Sequence, residues 1–249
     1  MRETDMSDNR LILEKARELA PWHFDFDLGD GIRTGTLNDR EHEDSDLSHI
    51  GVVSPDEMRG FFRRYYLDGF AGKELLDVAC NAGAYCFLAH ELGARRAHGF
   101  DAREHWLRQA AFVKSLKHPD AASITFERCT ADDFLDRGSQ SYDVVFFKGI
   151  FYHLPDPIHT LMRFCDLARE RILVDTMTRD DIPEGCLLAM RESTTHVMSG
   201  VDGPAWAPGG PQALAGLLRY KGFAKIDTVF WRHGEGDVPR GRMRLVASR

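Results

Sequence analysis

A glycine-poor turn after the first apolar run has the residue types of a nucleoside-binding loop. The run is ELLDVACNAGAY, residues 74–85. Because open α/β sheets bind ligands beyond the carboxyl ends of their strands, a cofactor is expected at this turn. Read as G-x-G-x-x-G from Ala79, the run has no glycine at any of the three positions, which disfavours NAD. Read instead as the pattern acidic-x-G-x-G-x-G, the run places Asp77 at the acidic position and Ala79, Asn81 and Gly83 at the three glycine positions. Asparagine tolerates a positive φ better than most other residues.

Three further strand ends carry polar groups that would complete such a site. Asp101 ends the second apolar run, 18 positions after Gly83, close to the spacing at which an acidic residue receives ribose hydroxyls. Ala131 and Asp132 follow the third run, where a carboxylate could accept a hydrogen bond from an adenine amino group. The fourth run, YDVVFF, is followed by Lys148, Tyr152 and His153. Four suitable strand ends in order are much less expected by chance than any one of them.

Short apolar runs alternate with helical segments from residue 73 onward. Strands are predicted over 73–79, 96–100, 122–128, 143–148 and 171–176, and helices over 82–92, 103–117 and 157–168. This alternation is typical of parallel βαβ units whose sheet is covered on both faces. A helix over 211–221 precedes strands over 224–232 and 241–248, which are predicted to pair as an antiparallel hairpin at the sheet edge.

The segments before this alternation predict a separate N-terminal part. Apolar spacing predicts a helix over 8–20, WHFDFDLGDGIRTG has the pattern of a short hairpin, and Ser54 to Glu57 forms a capping box that begins a helix ending near Asp68. We therefore expect an N-terminal helix and hairpin extension over 1–53. A domain over 54–249 follows, with an insertion at 177–208 over the carboxyl edge of the sheet.

Taken together, these motifs resemble the class I methyltransferases that depend on S-adenosylmethionine (SAM), over about residues 60–249. Within that class the sequence is most similar to the branch of tRNA wobble-uridine methyl- and carboxymethyltransferases and their small-molecule relatives. The similarity lies in WHFDFDLGDGIRTG, LLDVACNAGAY, FFKGIFYHLPDP and WAPGGPQALAGLLRYKGF. It implies a Rossmann-like α/β fold with a seven-stranded, mostly parallel sheet and an antiparallel last strand. It also implies SAM as cofactor and S-adenosylhomocysteine as product.

The resemblance implies how the cofactor would be held. Residues 79–83 would pass under the methionine part, with Asp77 near its amino group. Asp101 would hold the ribose, and Ala131 with Asp132 would frame the adenine. Ala79 and Asn81 stand where the family has glycine, so the loop path is where this sequence departs from the family.

Methyl transfer from a sulfonium is an in-line displacement, which needs alignment of the reacting atoms and, for an OH or NH acceptor, a group that takes up a proton. His153 is the candidate base because imidazole titrates near neutrality, and a structural histidine is the alternative. Tyr152 is either a wall of the acceptor pocket or a core residue. An unpaired Lys148 would be costly at a buried strand end. It either neutralises a carboxylate of methionine or of the acceptor, or extends its amine into solvent.

Other polar and aromatic residues are weaker candidates for contact with the acceptor. The predicted substrate-binding residues are Trp22, His23, Arg33, Asp175 and Trp206, with packing or capping as the alternative for each. The acidic segment over 36–48 with His42 is interpreted as a solvated loop rather than a cation site, so no metal is expected. The basic and aromatic residues over 59–66 are interpreted as an amphipathic helix rather than a nucleic-acid patch.

Composition limits the classes of function. Hydrophobic residues make up 43% of the 249 residues and charged residues 29%, as in an ordinary globular protein. The formal net charge of −7 is opposite in sign to that of most nucleic-acid binders. Five cysteines without a C-x-x-C pair argue against a disulfide framework and a structural zinc. No apolar stretch approaches the roughly 18 residues of a membrane span. These features predict a cytoplasmic protein with no membrane partner.

Three hypotheses of function follow. The first is methyl transfer from SAM to an oxygen or nitrogen of a small metabolite. The second is modification of tRNA wobble uridine, in which Lys148 and Arg33 could bind the extra carboxylate of carboxy-SAM; the acidic net charge disfavours it. The third is a non-catalytic SAM-binding sensor or partner subunit. The sequence does not identify the acceptor or the oligomeric state.

Overall fold

A seven-stranded sheet forms the centre of the computed structural model, which describes residues 3–38, 52–66, 69–138, 140–235 and 239–249. Its strands are β1 (Glu74–Val78), β2 (Arg96–Asp101), β3 (Ile124–Arg128), β4 (Tyr142–Lys148), β5 (Ala168–Arg179), β8 (Lys225–Arg232) and β9 (Arg240–Ser248). A separate antiparallel pair consists of β6 (Leu187–Arg191) and β7 (Pro204–Pro208). The helices are α1 (Glu3–Glu18), α2 (Pro55–Tyr65), α3 (Ala84–Glu91), α4 (Glu104–Lys117), α5 (Ala131–Asp136), α6 (Pro157–Leu167) and α7 (Pro211–Tyr220).

The strand order of the sheet is β3-β2-β1-β4-β5-β9-β8. The first five strands of that order are parallel, and β9 runs antiparallel to both of its neighbours, β5 and β8. The predicted fold class, with its mostly parallel sheet and antiparallel last strand, is confirmed. The hairpin of β8 and β9 also forms as predicted, with β9 inside the sheet and β8 at its edge.

Alternate residues of the central strands pack into two separate cores. Leu75 and Phe146 belong to the core on one face, together with residues of α1, α2, α3 and α4. Leu76 and Phe147 belong to the core on the other face, together with residues of α5, α6 and α7. Because side chains alternate along a strand, a strand buried on both faces requires a continuous apolar run. This explains ELLDV and YDVVFF.

The strand order reverses at β1, which pairs with β2 on one side and with β4 on the other. The connections after these strands diverge to opposite faces, leaving a crevice at their carboxyl ends. Asp77 and Val78, Asp101, and Lys148 are the residues at those ends. The topology therefore brings the predicted polar strand ends together.

The N-terminal elements pack onto the first core. Ala16 and Leu19 lie in the same cluster as Phe61 of α2. The predicted hairpin forms in short form, with an antiparallel bridge between Asp27 and Arg33. The amide of Leu28 donates to the carbonyl of Ile32 at 2.9 Å, and the amide of Thr34 donates to that of Phe26 at 3.0 Å. The capping box at Ser54 forms as predicted. The division of the chain at residues 53 and 54 stays a prediction.

Helix α2 has a buried aromatic face and an exposed basic one. Phe61 and Phe62 are buried, as is Tyr66 directly after the helix, whereas Arg59, Arg63 and Arg64 are exposed. The interpretation of this segment as an amphipathic helix is confirmed. The predicted end of the helix at Asp68 and the acidic cluster around His42 lie outside the described residues.

The segment predicted as an insertion over 177–208 needs a correction. Strand β5 continues to Arg179, because Met177, Thr178 and Arg179 pair with β9. Beyond it, β6 and β7 form a hairpin that the sequence did not indicate. Their connection carries residues 197–202, which we call the roof segment because they line the cavity described below.

Among the described residues, no helix has both the length and the apolar character needed to cross a bilayer. Within the same residues, no group of three or more His, Cys, Asp or Glu side chains could hold a metal ion.

Candidate functional site

The turn after β1 adopts left-handed backbone conformations at alternate positions. The φ angle is 55° at Ala79, 52° at Asn81 and 76° at Gly83. Hydrogen bonds fix this path, since the amide of Cys80 donates to the carbonyl of Phe100 at 2.8 Å. The Asn81 side-chain oxygen also accepts from the amide of Ala82 at 2.7 Å. Alanine and asparagine thus occupy conformations that normally favour glycine.

Gly83 does not line the cavity, which corrects its predicted contact with the cofactor. It precedes the first residue of α3 as its N-cap. A Cβ atom there would lie 2.4 Å from the Phe126 ring. Glycine is required at this position by the close approach of the ring and by the positive φ angle.

Replacing Ala79 with glycine is expected to raise the free energy of unfolding by about 1 kcal/mol, because an L-residue in the left-handed region carries a steric cost that glycine lacks. Urea denaturation monitored by circular dichroism measures the change. Ala82, buried in the same turn without a positive φ, is the matched control, and Ala82→Gly should lower stability. Equal destabilisation by both changes would contradict the strain at Ala79.

Asp101 is the best-defined anchor of the site. Its side chain is 7% exposed. One carboxylate oxygen accepts from the amide of Asn81 at 2.9 Å and the other from the amide of Arg103 at 2.9 Å. Burial raises the pKa of Asp101 to about 6, against the opposing effect of these two amide donors. The carboxylate is therefore ionised at neutral pH, and each oxygen retains acceptor capacity for a ligand hydroxyl.

The charges of Asp77 in β1 and of Lys148 at the end of β4 interact. Burial raises the pKa of Asp77 to about 7, while the charge of Lys148 opposes the rise and that of Asp101 adds to it. The Lys148 ammonium also lies 5.1 Å from the centroid of the Tyr85 ring. Lys148 lines the cavity, so its charge is available to a bound anion.

The raised pKa of Asp77 predicts a pH dependence of stability. In the unfolded chain this carboxyl loses its proton near pH 4, whereas the folded protein retains it up to about pH 7. Since the folded state binds more protons in that window, the free energy of unfolding should fall as pH rises from 4 to 7. Asp77→Asn should reduce this fall in urea titrations. The exposed control Asp120→Asn should parallel wild type, and a parallel curve for Asp77→Asn would contradict the prediction.

An apolar slot adjoins Asp101. Phe100, Trp106, Cys129, Ala131 and Leu154 line it, and all are buried. Flat apolar walls of this kind suit an aromatic base. Ala131 takes its predicted place in the lining.

Asp132 is exposed and is not among the lining residues, although it lies close enough to Asp202 of the lining to add to the rise that burial causes in the pKa of that carboxyl. Its role at the adenine stays a prediction. Asp132 lies in the first turn of α5, which begins at a capping box formed by Thr130 and Asp133.

Basic and aromatic side chains also line the cavity. Lys148, Tyr152, His153 and His23 are among its lining residues, and Arg242 of β9 joins them. Arg242 lies 6.0 Å from the centroid of the Tyr152 ring.

Asp175, predicted to contact substrate, is instead an internal counter-ion. It is fully buried and accepts from Arg242 at 2.5 Å and from Arg244 at 2.6 Å. Burial raises its pKa, but the charges of Arg242, Lys148 and Arg244 outweigh this and hold the pKa below its usual range. One carboxylate faces three cations, so this end of the cavity favours an anionic group.

The roof segment lines the cavity and is held by a residue that the sequence did not indicate. Arg103 donates to the carbonyls of Thr194, Ser199 and Gly200 at 2.9–3.2 Å. Its own amide donates to Asp101. Arg103 thus links the roof segment to the buried carboxylate of Asp101.

Three predicted substrate contacts lie elsewhere. Trp22 is 1% exposed and its indole donates to the carbonyl of Ala16, so it packs the N-terminal core. Arg33 pairs with Asp25 at 2.6 Å, away from the cavity lining. Trp206 donates to the carbonyl of Pro155 at 3.1 Å and fastens the β6–β7 hairpin to the loop after His153.

Two arginines of β9 were not predicted as site residues, although the sequence contains a pattern that could have indicated them. Arg242 and Arg244 stand at alternate positions of a predicted strand, so they share one face of it. Buried cations require a partner, and Asp175 at the end of another predicted strand could supply it. No pattern of this kind marks the roof segment or Arg103.

The chain is similar in sequence to known proteins over part of their length. The chain is 27% identical over 176 residues to a tRNA U34 carboxymethyltransferase of Campylobacter hominis, covering 69% of this chain and 60% of the relative. It is 32% identical over 187 residues to the protein of the same name from Aliarcobacter butzleri, covering 74% and 55%. The chain thus spans little more than half the length of these relatives.

A solved structure and a family model agree with the fold. The N-terminal domain of EvdMO1, solved with SAH bound, superposes with a TM-score of 0.72 at 20% identity, covering 96% of each chain. A family model described as a methyltransferase domain matches residues 70–204. That match includes β1 to β6 and the predicted strand ends from Asp77 to His153. The chain belongs to the methyltransferase domain family, as the sequence motifs predicted.

Proposed function

We propose that this protein transfers a methyl group from SAM to an oxygen or nitrogen of a small-molecule acceptor, leaving S-adenosylhomocysteine. One observation carries the proposal: the same cavity is lined by the buried carboxylate of Asp101 and by the side chains of Lys148, Tyr152 and His153. Family membership supports the reaction class.

The residues present fit the donor. The two oxygens of Asp101 retain acceptor capacity for ribose hydroxyls, and the slot beside Ala131 suits the adenine. Ala79, Cys80 and Asn81 of the turn after β1 line the cavity, where the methionine part would lie. Asp77 is placed for an ammonium group and Lys148 for a carboxylate.

His153 is the proposed base of the reaction. SAM supplies a methyl group on a sulfonium, from which an acceptor oxygen or nitrogen displaces a neutral thioether. The chain's own residues align the acceptor and take up its proton, and His153 is a histidine of the cavity lining whose imidazole can accept it. Tyr152 packs beside it, with ring centroids 4.1 Å apart, and forms a wall of that pocket.

A small acceptor fits the enclosure and the charge. The roof segment lines the cavity, and Arg103 holds it through the carbonyls of Ser199 and Gly200. A net charge of −7 disfavours a polyanionic substrate. The cations Lys148 and Arg242 favour an acceptor that carries an anionic group near the reacting atom.

The test is turnover with methyl-labelled SAM and a panel of small hydroxyl, amine and carboxylate-bearing acceptors. Labelled product with release of S-adenosylhomocysteine is the expected result. Tight binding of S-adenosylhomocysteine without product from a broad panel would overturn the proposal and favour a non-catalytic SAM-binding sensor.

The second candidate is carboxymethyl transfer to tRNA wobble uridine. The names of the similar relatives favour it, and Lys148 with Arg242 could bind the extra carboxylate of carboxy-SAM. Arg33, considered earlier for this role, is paired with Asp25. Salt-sensitive binding of tRNA would support this candidate, and failure to bind tRNA at low salt would eliminate it.

A further inference from the structure

We propose that Glu192, the residue after β6, is a positioning residue that fixes the tautomer of His153 and so prepares its Nε2 atom to accept a proton. The His153 Nδ1 atom lies 2.8 Å from both oxygens of the Glu192 carboxylate. Both side chains are largely shielded, at 18% and 17% exposure. No sequence pattern marked Glu192.

The contacts decide which ring nitrogen carries the proton. An ionised carboxylate only accepts hydrogen bonds, so the Nδ1 atom that faces it must donate. The amide of Gly200 lies 3.1 Å from the same Nδ1 atom, but it also donates to Glu192 Oε1 at 2.9 Å. Glu192 therefore satisfies both donors. In the neutral imidazole, Nε2 is left with its lone pair.

The chain is built to hold Glu192 in this place. A Cβ atom at Gly200 would lie 2.6 Å from Glu192 Oε1 and 2.9 Å from His153 Cβ. Only glycine leaves room for the contact. The amide of Glu192 donates to the carbonyl of Gly203 at 2.9 Å, which extends the β6–β7 hairpin. Arg103 fixes the carbonyl of Gly200 from the other side.

The chemical consequence rests on the proposed methyl transfer. As the acceptor atom bonds to the methyl carbon, the carbon–sulfur bond breaks with its electron pair going to sulfur, and the acceptor proton passes to Nε2 of His153. The imidazolium that forms is stabilised by the adjacent carboxylate of Glu192. Without Glu192, the proton can sit on Nε2 and block its acceptance of another.

The tautomer is measured directly by ¹⁵N NMR of histidine-labelled protein, with His153 assigned by the loss of its signals in His153→Asn. In wild type at a pH where the ring is neutral, Nδ1 should show the shift of a protonated nitrogen and Nε2 that of an unprotonated one. Glu192→Ala should move the population toward the Nε2–H form. Arg191→Ala, a change to the exposed neighbouring residue, should leave wild-type shifts.

The outcomes separate this inference from the proposed function. A protonated Nε2 in neutral wild-type protein, or unchanged shifts in folded Glu192→Ala, would overturn the positioning role whatever the activity. The expected tautomer with no turnover of any acceptor would leave the positioning role standing and defeat the proposed function. With turnover, Glu192→Ala should lower kcat by at least about tenfold and leave the affinity for S-adenosylhomocysteine unchanged. If Glu192→Ala does not fold, the wild-type spectrum alone decides the tautomer.

Discussion

Replacing Asp101 with asparagine is expected to weaken the binding of S-adenosylhomocysteine at pH 8 by about 100-fold, measured by isothermal titration calorimetry. The change removes the charge that would strengthen two hydrogen bonds from ribose hydroxyls. Charge-assisted hydrogen bonds contribute about 1.5 kcal/mol or more each, so two of them account for a loss on the order of 3 kcal/mol. The new amide also turns one NH₂ toward a backbone amide that now donates to the carboxylate.

The pH dependence of binding supplies an independent check. Because the pKa of Asp101 is raised to about 6, wild-type affinity should fall as pH drops through 6 and the carboxylate is protonated. Asp101→Asn should lack that fall. Asp120, exposed in the turn before β3, provides the matched control, and Asp120→Asn should bind like wild type. A threefold or smaller loss in folded Asp101→Asn would remove the ribose anchor from the site.

The strand ends of the sheet could be predicted because each is a local pattern. Asp77, Asp101 and Lys148 each follow a short apolar run, and parallel strands bring their carboxyl ends to one edge. These apolar runs are buried in the sheet, and the same burial raises the pKa of the carboxyl groups of Asp77 and Asp101 at their ends. Identifying the strands therefore predicted both where Asp101 lies and that it is shielded.

The roof segment and the contact between Glu192 and His153 could not be predicted, because both depend on contacts between distant segments of the chain. Arg103 holds the roof through backbone carbonyls, which no side-chain pattern reveals. Glu192 reaches His153 across 39 positions of sequence. The irregular connection between β6 and β7 has no periodicity from which such a contact could be inferred.

The errors at Trp22 and Asp175 have a common physical cause. Both residues have chemistry suited to a ligand site, and both are near one in sequence. In each, however, another part of the chain satisfies the polar group: the carbonyl of Ala16 for Trp22, and Arg242 with Arg244 for Asp175. A polar group in a buried setting must be paired, and sequence alone does not tell whether its partner is protein or ligand.

Replacing His153 with asparagine is expected to lower kcat by about 10² to 10⁴-fold, the usual contribution of a general base, once an acceptor is identified. Asparagine retains a side-chain donor that can face Glu192 and has no basic nitrogen to take up the acceptor proton. The affinity for S-adenosylhomocysteine should stay within threefold of wild type, because Asp101 and the apolar side chains beside Ala131 are the residues proposed to hold the adenosyl group. Stopped-time assays of product formation, paired with calorimetry, measure both quantities.

His159 provides the matched control for that experiment. It lies six positions on, exposed on the first turn of α6 and outside the cavity lining, so His159→Asn should retain wild-type kcat. If the acceptor reacts through a group that is already deprotonated, alignment suffices and His153→Asn loses less than tenfold with an unchanged pH profile. That result would remove His153 from the role of base. A large loss of kcat with the pH profile flattened on its acid side would instead assign the proton transfer to the imidazole of His153, which is held against the Glu192 carboxylate.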